Sequence, residues 1–258
     1  MSWASRRRFI IISIMVVGAL GILGAFAYVT FHRAPTCFDN KQNQDEEGID
    51  CGGTCAYQCT ASEAAPSVRF ARPVSPASGR TDLIAYIDNS NGDVAASNLN
   101  FTIELYSPTN TVIAKKEGRV DLPPASTVPV YVPNIYTGSQ EVARAFITFD
   151  TPSHLWYRYR ETRPIPEIAD VRIDTSETPR VTAVAVNNSA AKITNVPFVI
   201  TIFDAAGNAI AASRTIAPSI PAHGSAPLVF TWSTPFTGAV SRVDIKPVIP
   251  LPPAPPTI

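Results

Sequence analysis

Cys37, Cys51, Cys55 and Cys59 are the chain's only thiol-bearing residues, and all four fall in one short stretch. Their spacing, C-x13-C-x3-C-x3-C, admits two chemistries. As thiolates they could hold a zinc ion, although zinc modules usually bring their cysteines in C-x2-C pairs. Oxidised, they would make two disulfides, the staple that a segment of about 24 polar residues needs when it cannot bury enough surface to fold alone. Four cysteines allow three pairings, and spacing does not choose among them. Disulfides in turn place the segment in an oxidising compartment.

The same stretch is rich in hard oxygen ligands. Asp39, Asn43, Asp45, Glu46 and Asp50 are the donor types that calcium takes. The D-x-[DN]-x-[DN]-G pattern with its terminal glutamate is missing, so the competing reading is a solvated acidic loop. No other cofactor is suggested. The three histidines, His32, His154 and His223, stand far apart in sequence, and no His-x-x-x-His pair, nucleophile elbow or phosphate-binding loop occurs. His223 lies close to Ser225 only within a Pro-Ala-His-Gly-Ser turn. The expectation is a protein that is not an enzyme.

Around the cysteines the chain reads TCFDNKQNQDEEGIDCGGTCAYQC. This resembles a short motif near the start of many exported microbial proteins: a cysteine, an asparagine and acidic residues, G-[IV]-D-C-G-G, then two close cysteines. Cys37, Asn43, Asp45, Glu46, Gly48, Asp50, Cys51, Gly52, Gly53, Cys55 and Cys59 match it. Asn40 departs from it, standing where the commoner pattern has glycine. The resemblance covers under a tenth of the chain and implies export without implying an activity.

The elements around this module set its context. Residues 9–31 are an uncharged apolar run that, as a helix, would reach roughly 34 Å and cross a bilayer. Arg6, Arg7 and Arg8 precede it and an acidic stretch follows Arg33, so the positive-inside rule keeps residues 1–8 in the cytoplasm and puts the rest outside the cell membrane. A cleaved signal peptide is the rival reading, with Ala25-Phe26-Ala27 as an A-x-A-like site, but signal h-regions are shorter. Gly18, Gly21 and Ala25 share a helical face through which two copies could associate.

The cysteine module spans 36–59, and an Ala-, Ser- and Pro-rich linker is expected over 60–79. Beyond it the chain repeats itself at an offset of roughly 98 residues. Residues 82–90 align with 181–189, 98–114 with 195–211, 122–132 with 220–230, and 142–147 with 240–245. Each block alternates apolar and polar positions, with Phe101, Ile103 and Leu105 inward in one copy and Phe198, Ile200 and Ile202 in the other. Turn signals such as Asn91-Gly92 and Ala206-Gly207-Asn208 separate the strands. The chain is therefore expected to be mainly β, with one transmembrane helix, a disulfide-rich module and two tandem immunoglobulin-like β-sandwiches over 80–165 and 166–248. The FTIELYS and FVITIFDAAGN segments resemble the F-x-L-Y-D class of small Ig-like domains on microbial surfaces. Asp204 keeps that family's acidic turn residue and Ser107 replaces it in the first copy. The resemblance implies a fold, a bacterial source and no active site.

Between the domains lies HLWYRYRETR, the most aromatic and basic stretch outside the apolar run. Trp156, Tyr157 and Tyr159 could anchor a ligand there. Alternatively Leu155, Tyr157 and Tyr159 pack as a last strand. Residues 249–258 read as an extended Pro-rich tail, a spacer or a segment for an aromatic groove. Zero net charge and the absence of a basic stripe exclude nucleic acid as a partner. What remains is an anchored, non-catalytic display of Ig-like domains to an envelope protein or glycan, or a structural spacer subunit of an envelope or secretion assembly.

Overall fold

The computed structural model describes residues 3–31, 36–77, 79–151, 155–161 and 163–254. The first element, α1 (Trp3–Phe31), carries Ile14, Val17, Ile22 and Phe26 exposed around its circumference. A helix that is apolar on every side needs an apolar solvent. None of the 24-residue span Ser5–Tyr28 is buried against the rest of the chain, and its length of about 36 Å suffices to cross a membrane. A signal sequence would meet the same test.

Cys37 is bonded to Cys55 and Cys51 to Cys59, an interlocked pairing. The connecting loop turns through left-handed residues at Asn40, Gln44, Asp50, Gly52 and Gly53. Asn40, at φ 59°, takes the conformation for which glycine is the commoner choice, because asparagine tolerates it better than other side chains. Gly53 has no such latitude: a Cβ there would stand 1.7 Å from the Asp45 carbonyl oxygen.

Domain 1 contains β1 (Ser67–Ala77), β2 (Arg80–Asn89), β3 (Val94–Tyr106), β4 (Val112–Leu122), β5 (Ser126–Tyr136), β6 (Arg144–Phe149) and the short β7 (Tyr157–Arg158). Domain 2 contains β8 (Glu167–Asp174), β9 (Arg180–Asn187), β10 (Ile193–Phe203), β11 (Ala209–Ile220), β12 (Gly224–Thr231) and β13 (Arg242–Pro247). All pairings among them are antiparallel. In domain 1 a β1-β2-β5 sheet packs on a β4-β3-β6 sheet, and in domain 2 a β8-β9-β12 sheet packs on a β11-β10-β13 sheet. These are two Ig-like sandwiches, each with its own core.

Two sequence expectations need correction. The linker expected over 60–79 contains β1, which pairs with β2 along most of its length, so domain 1 begins near Ser67. Proline obscured it: Pro73 is tolerated because β1 is an edge strand, where one side of the ladder is open. The first repeat block is also out by one residue. Leu83, Ala85 and Ile87 occupy the core positions that Val181, Ala183 and Ala185 fill in domain 2, so Leu83, and not Asp82, corresponds to Val181. A slip of one position exchanges the two faces of a strand, which is why it matters.

The cores follow the alternation. Phe101, Ile103 and Leu105, and Phe198, Ile200 and Ile202, are all buried. The two hairpins that follow them share one geometry. Asp204 Oδ1 accepts the Asn208 N–H at 2.8 Å, and Ser107 Oγ accepts the Thr111 N–H at 3.1 Å in the first copy. A hydroxyl thus replaces the carboxylate without changing the turn. The carboxyl of Asp204 is held below its ordinary range by that Asn208 N–H.

β2 and β10 are buried on both faces, and this has a single cause. Ile84 and Tyr86 on the outer face of β2, with Val74, pack against Val199 and Phe203 of β10 and against Ala209 and Ala212 of β11. The domains therefore stack sheet on sheet in four layers: β4-β3-β6, β1-β2-β5, β11-β10-β13, β12-β9-β8. At their junction Tyr86 donates to Asp244 Oδ2 at 2.9 Å and lies 3.2 Å from Thr201 Oγ1. Phe70, Tyr86 and Phe203 form an aromatic cluster, with the Arg242 guanidinium 4.0 Å above the Phe203 ring.

Candidate interaction site

The aromatic segment between the domains is not a free surface. Trp156 is wholly buried in the domain 1 core and Tyr157 is 3% exposed, which corrects their reading as ligand anchors. The segment is a bolt between the cysteine module and domain 1. Gln58 N–H donates to the Trp156 carbonyl at 2.8 Å, and Arg158 N–H donates to the Ala56 carbonyl at 3.2 Å. Tyr57 meets Tyr157 edge to face, with ring centroids 6.4 Å apart. On its other side Tyr157 pairs with Ala95 of β3. Burial pushes the Tyr157 hydroxyl pKa up to about 12. The alternative of packed strand residues is the one realised for Leu155 and Tyr157, while Tyr159 stays half-buried.

The Pro-rich tail also folds back. Leu251 N–H donates to Asp121 Oδ2 at 2.8 Å, and Leu251 and Ala254 pack against the cluster of Tyr57, Ala95 and Tyr157. An aromatic groove for this tail exists, and it belongs to the same chain. Residues 255–258, like His32 and His154, lie outside the described residues.

Within the set Asp39, Asn43, Asp45, Glu46 and Asp50, three carboxylates bond to the loop itself. The Asp50 carboxylate accepts the N–H groups of Asp39 and Asn40, each at 2.9 Å. Glu46 Oε2 accepts the N–H of Asn43 at 3.1 Å, and Asp39 accepts from the Asn43 side chain at 2.9 Å. Asp45 is exposed. These carboxylates close the turns of a loop too polar to hold itself by burial. Cys37, Glu46 and Cys55 also bring a ligand atom each within 4.8 Å of one another, but the two sulfurs are bonded to each other.

His223 is a turn residue. It has φ 48°, and its N–H donates to the Ser189 carbonyl at 3.0 Å. The corresponding Ala125 has φ 46° and donates to the Asn91 carbonyl at 2.7 Å. Alanine fills the same role, so the position calls for a backbone conformation and no imidazole.

Sequence reasoning missed a cleft of about 590 Å³ where three distant segments meet. Its walls come from the β4–β5 corner (Pro123, Pro124), the interdomain segment (Tyr159, Arg160, Arg163, Ile165) and the chain's last stretch (Lys246, Ile249, Leu251). The floor is apolar, and Ile165 is 69% exposed. Arg160, Arg163 and Lys246 supply positive charge against Asp121 and Glu161. The Tyr159 hydroxyl is buried without a partner among the described residues. Proline pairs and the Arg-Glu-Thr-Arg run could have hinted at each wall, but only the fold brings the walls together.

No family model and no curated protein matches this sequence. Among solved structures, red sea bream transglutaminase is 12% identical over 71% of this chain, with a TM-score of 0.22, and the chain spans 29% of that structure. The N-terminal CBM22-1-CBM22-2 tandem domain of Paenibacillus barcinonensis Xyn10C is 8% identical, with a TM-score of 0.15, over 86% of this chain and 94% of that one.

Proposed function

We propose that this chain is a single-pass membrane-anchored, extracytoplasmic, non-catalytic interaction protein whose two Ig-like domains present the junction cleft to an envelope protein or glycan. The observation that carries the reading is the cleft itself: an apolar floor with a few placed polar groups, at a domain boundary, is where ligands are usually taken. Arg6, Arg7 and Arg8, in the first turns of α1 ahead of its apolar run, support a cytoplasmic N-terminus, and the two disulfides support an oxidising exterior. The cysteine motif and the F-x-L-Y-D-like strands support a bacterial surface setting. The test uses the full-length protein in detergent, titrated against envelope glycans and solubilised envelope proteins. Saturable binding that is lost in Arg163→Glu and Ile165→Asp, with the fold intact, is the expected result. Binding that is indifferent to both would sink the cleft as its site.

The alternative, a structural subunit of an envelope or secretion assembly, draws support from the way the body is built. The sandwiches stack side by side, and the tail returns to the cysteine module, which suits a fixed block better than an extended spacer.

A further inference from the structure

We propose that the outer sheet of domain 2 (β8-β9-β12) docks on the outer sheet of domain 1 (β4-β3-β6) of a second copy of this chain. This contact would repeat between chains the interface that already joins the domains within one. It goes beyond the cleft and does not depend on it.

The argument rests on the repeat. Within the chain, the β1-β2-β5 face of domain 1 covers the β11-β10-β13 face of domain 2. These are non-equivalent sheets: by the repeat, β2 corresponds to β9 and β3 to β10. The interface is therefore heterologous, and it leaves one face of each kind open at the two ends of the stack. A contact of this type can continue from copy to copy.

The open face on domain 2 has the character of its covered counterpart. Register places Thr182, Val184, Val186, Pro227 and Val229 side by side on it, and Val229 is 39% exposed. Their counterparts in domain 1 are Ile84, Tyr86, Asp88, Pro129 and Tyr131, on the face that domain 2 covers.

Residue sizes at the open faces are exchanged in a matching way. Where domain 1 presents the large Phe70, Tyr86 and Tyr131 to its partner sheet, domain 2 presents Ala169, Val184 and Val229. Where the covered sheet of domain 2 answers with the small Ala209, Ala212 and Asp244, the open sheet of domain 1 carries Val112, Lys115 and Phe146. Phe146 is 54% exposed and meets Tyr106, which holds the place of Phe203, edge to face with ring centroids 5.5 Å apart. The hydrogen-bonded pair Tyr86–Asp244 thus becomes the apolar pair Val184–Phe146. At this pair a polar contact is replaced by an apolar one on both sides at once, where either change alone would bury an unpaired polar group. Glu104, in the place of Thr201, is held by the Tyr106 hydroxyl and Lys115 of its own sheet.

The test is thiol crosslinking of the full-length protein in detergent with a short bismaleimide, the native cysteines being bonded in pairs. One variant carries Val184→Cys and another Phe146→Cys. Residues 146 and 184 of one chain lie on opposite outer layers, about 30 Å apart across three sheet-to-sheet spacings, so no intrachain product can form. A crosslinked heterodimer on mixing the two variants, and a ladder of multimers from the chain bearing both changes, is the expected result. Adding Val229→Asp to the same face of the F146C/V184C chain should cut the ladder at least tenfold. Homodimers of the V184C chain alone would overturn the proposal in favour of a two-fold back-to-back contact. Monomer in every mixture would overturn it outright.

Discussion

Asn89 and Asn187, one repeat apart, make the same hydrogen bonds at the same corner of their domains. The Asn89 side-chain N–H donates to the carbonyls of Val94 and Pro123, each at 2.9 Å. The Asn187 side-chain N–H donates to those of Ala191 at 2.8 Å and Pro221 at 2.9 Å. Each side-chain oxygen accepts the N–H two residues on, from Asn91 or Ser189, at 3.0 Å. Both asparagines are buried, and each ties the end of a strand in one sheet to the β4–β5 or β11–β12 corner of its sandwich.

Leucine, which matches asparagine in size, would leave these backbone groups buried and unpaired. Asn89→Leu and Asn187→Leu should each lower stability by about 1–3 kcal/mol. Lying in different domains with no shared partner, their effects should add to within about 0.5 kcal/mol. Urea denaturation of the two single variants and the double variant measures both quantities. A neutral Asn187→Leu would show that the corner is held by other means.

The alternation of Phe101, Ile103 and Leu105 made β3 legible, because one buried face leaves a period of two in the sequence. β2 was harder to register. Its second apolar set, Ile84 and Tyr86, faces domain 2, so the run reads as continuously apolar and a one-residue slip goes unnoticed. β1 was hidden by Pro73, and the aromatic segment misled because Trp156 turns into the domain 1 core while Tyr157 is covered by Tyr57, from a module a hundred residues upstream. The disulfide pairing and the cleft were illegible for the same reason: spacing along the chain says nothing of which segments meet.

The cysteine module should fail locally. Gly53→Ala places a Cβ against the Asp45 carbonyl at a left-handed position, φ 56°, and should prevent the native pairing of the four cysteines. Reduction of the wild type should likewise melt the module, removing about 3 kcal/mol per disulfide by the loop-entropy argument. The sandwiches contain no cysteine, so they should survive. Hydrogen exchange is the readout: the Gln58 and Arg158 amides, which bolt the module to domain 1, lose protection while β3 and β10 keep theirs. Loss of protection in β10 would mean that the module holds up the whole body.

The junction between the domains should be worth more than a linker contact. Tyr86→Ala removes a ring packed against Phe70 and Phe203 and leaves Asp244 without its donor, at a cost of about 3–5 kcal/mol. Tyr86→Phe keeps the ring and should cost about 1–2 kcal/mol. In calorimetry the wild type should unfold in one transition, and the alanine variant should split into two as the sandwiches uncouple. A single unshifted transition for Tyr86→Ala would show that the interface contributes nothing.

The same junction should make the protein sensitive to alkali. Burial raises the hydroxyl pKa of Tyr86 well above 10.0, and the neighbouring Asp244 adds to it; burial and the bond to Asp82 do the same for Tyr131. The neutral phenol is the favoured form in the fold, so above pH 10 the unfolded chain releases protons that the folded chain keeps. The unfolded state then binds fewer protons, and stability falls as pH rises, by about 1.4 kcal/mol per pH unit for Tyr86 while it alone stays protonated in the fold. Below pH 9 this contribution is fully present and flat. Urea midpoints from pH 8 to pH 11.5 should therefore hold steady and then drop, and Tyr86→Phe should soften the drop without abolishing it, because Tyr131 remains. A midpoint that declines equally steeply in the wild type and in Tyr86→Phe would remove Tyr86 from the account.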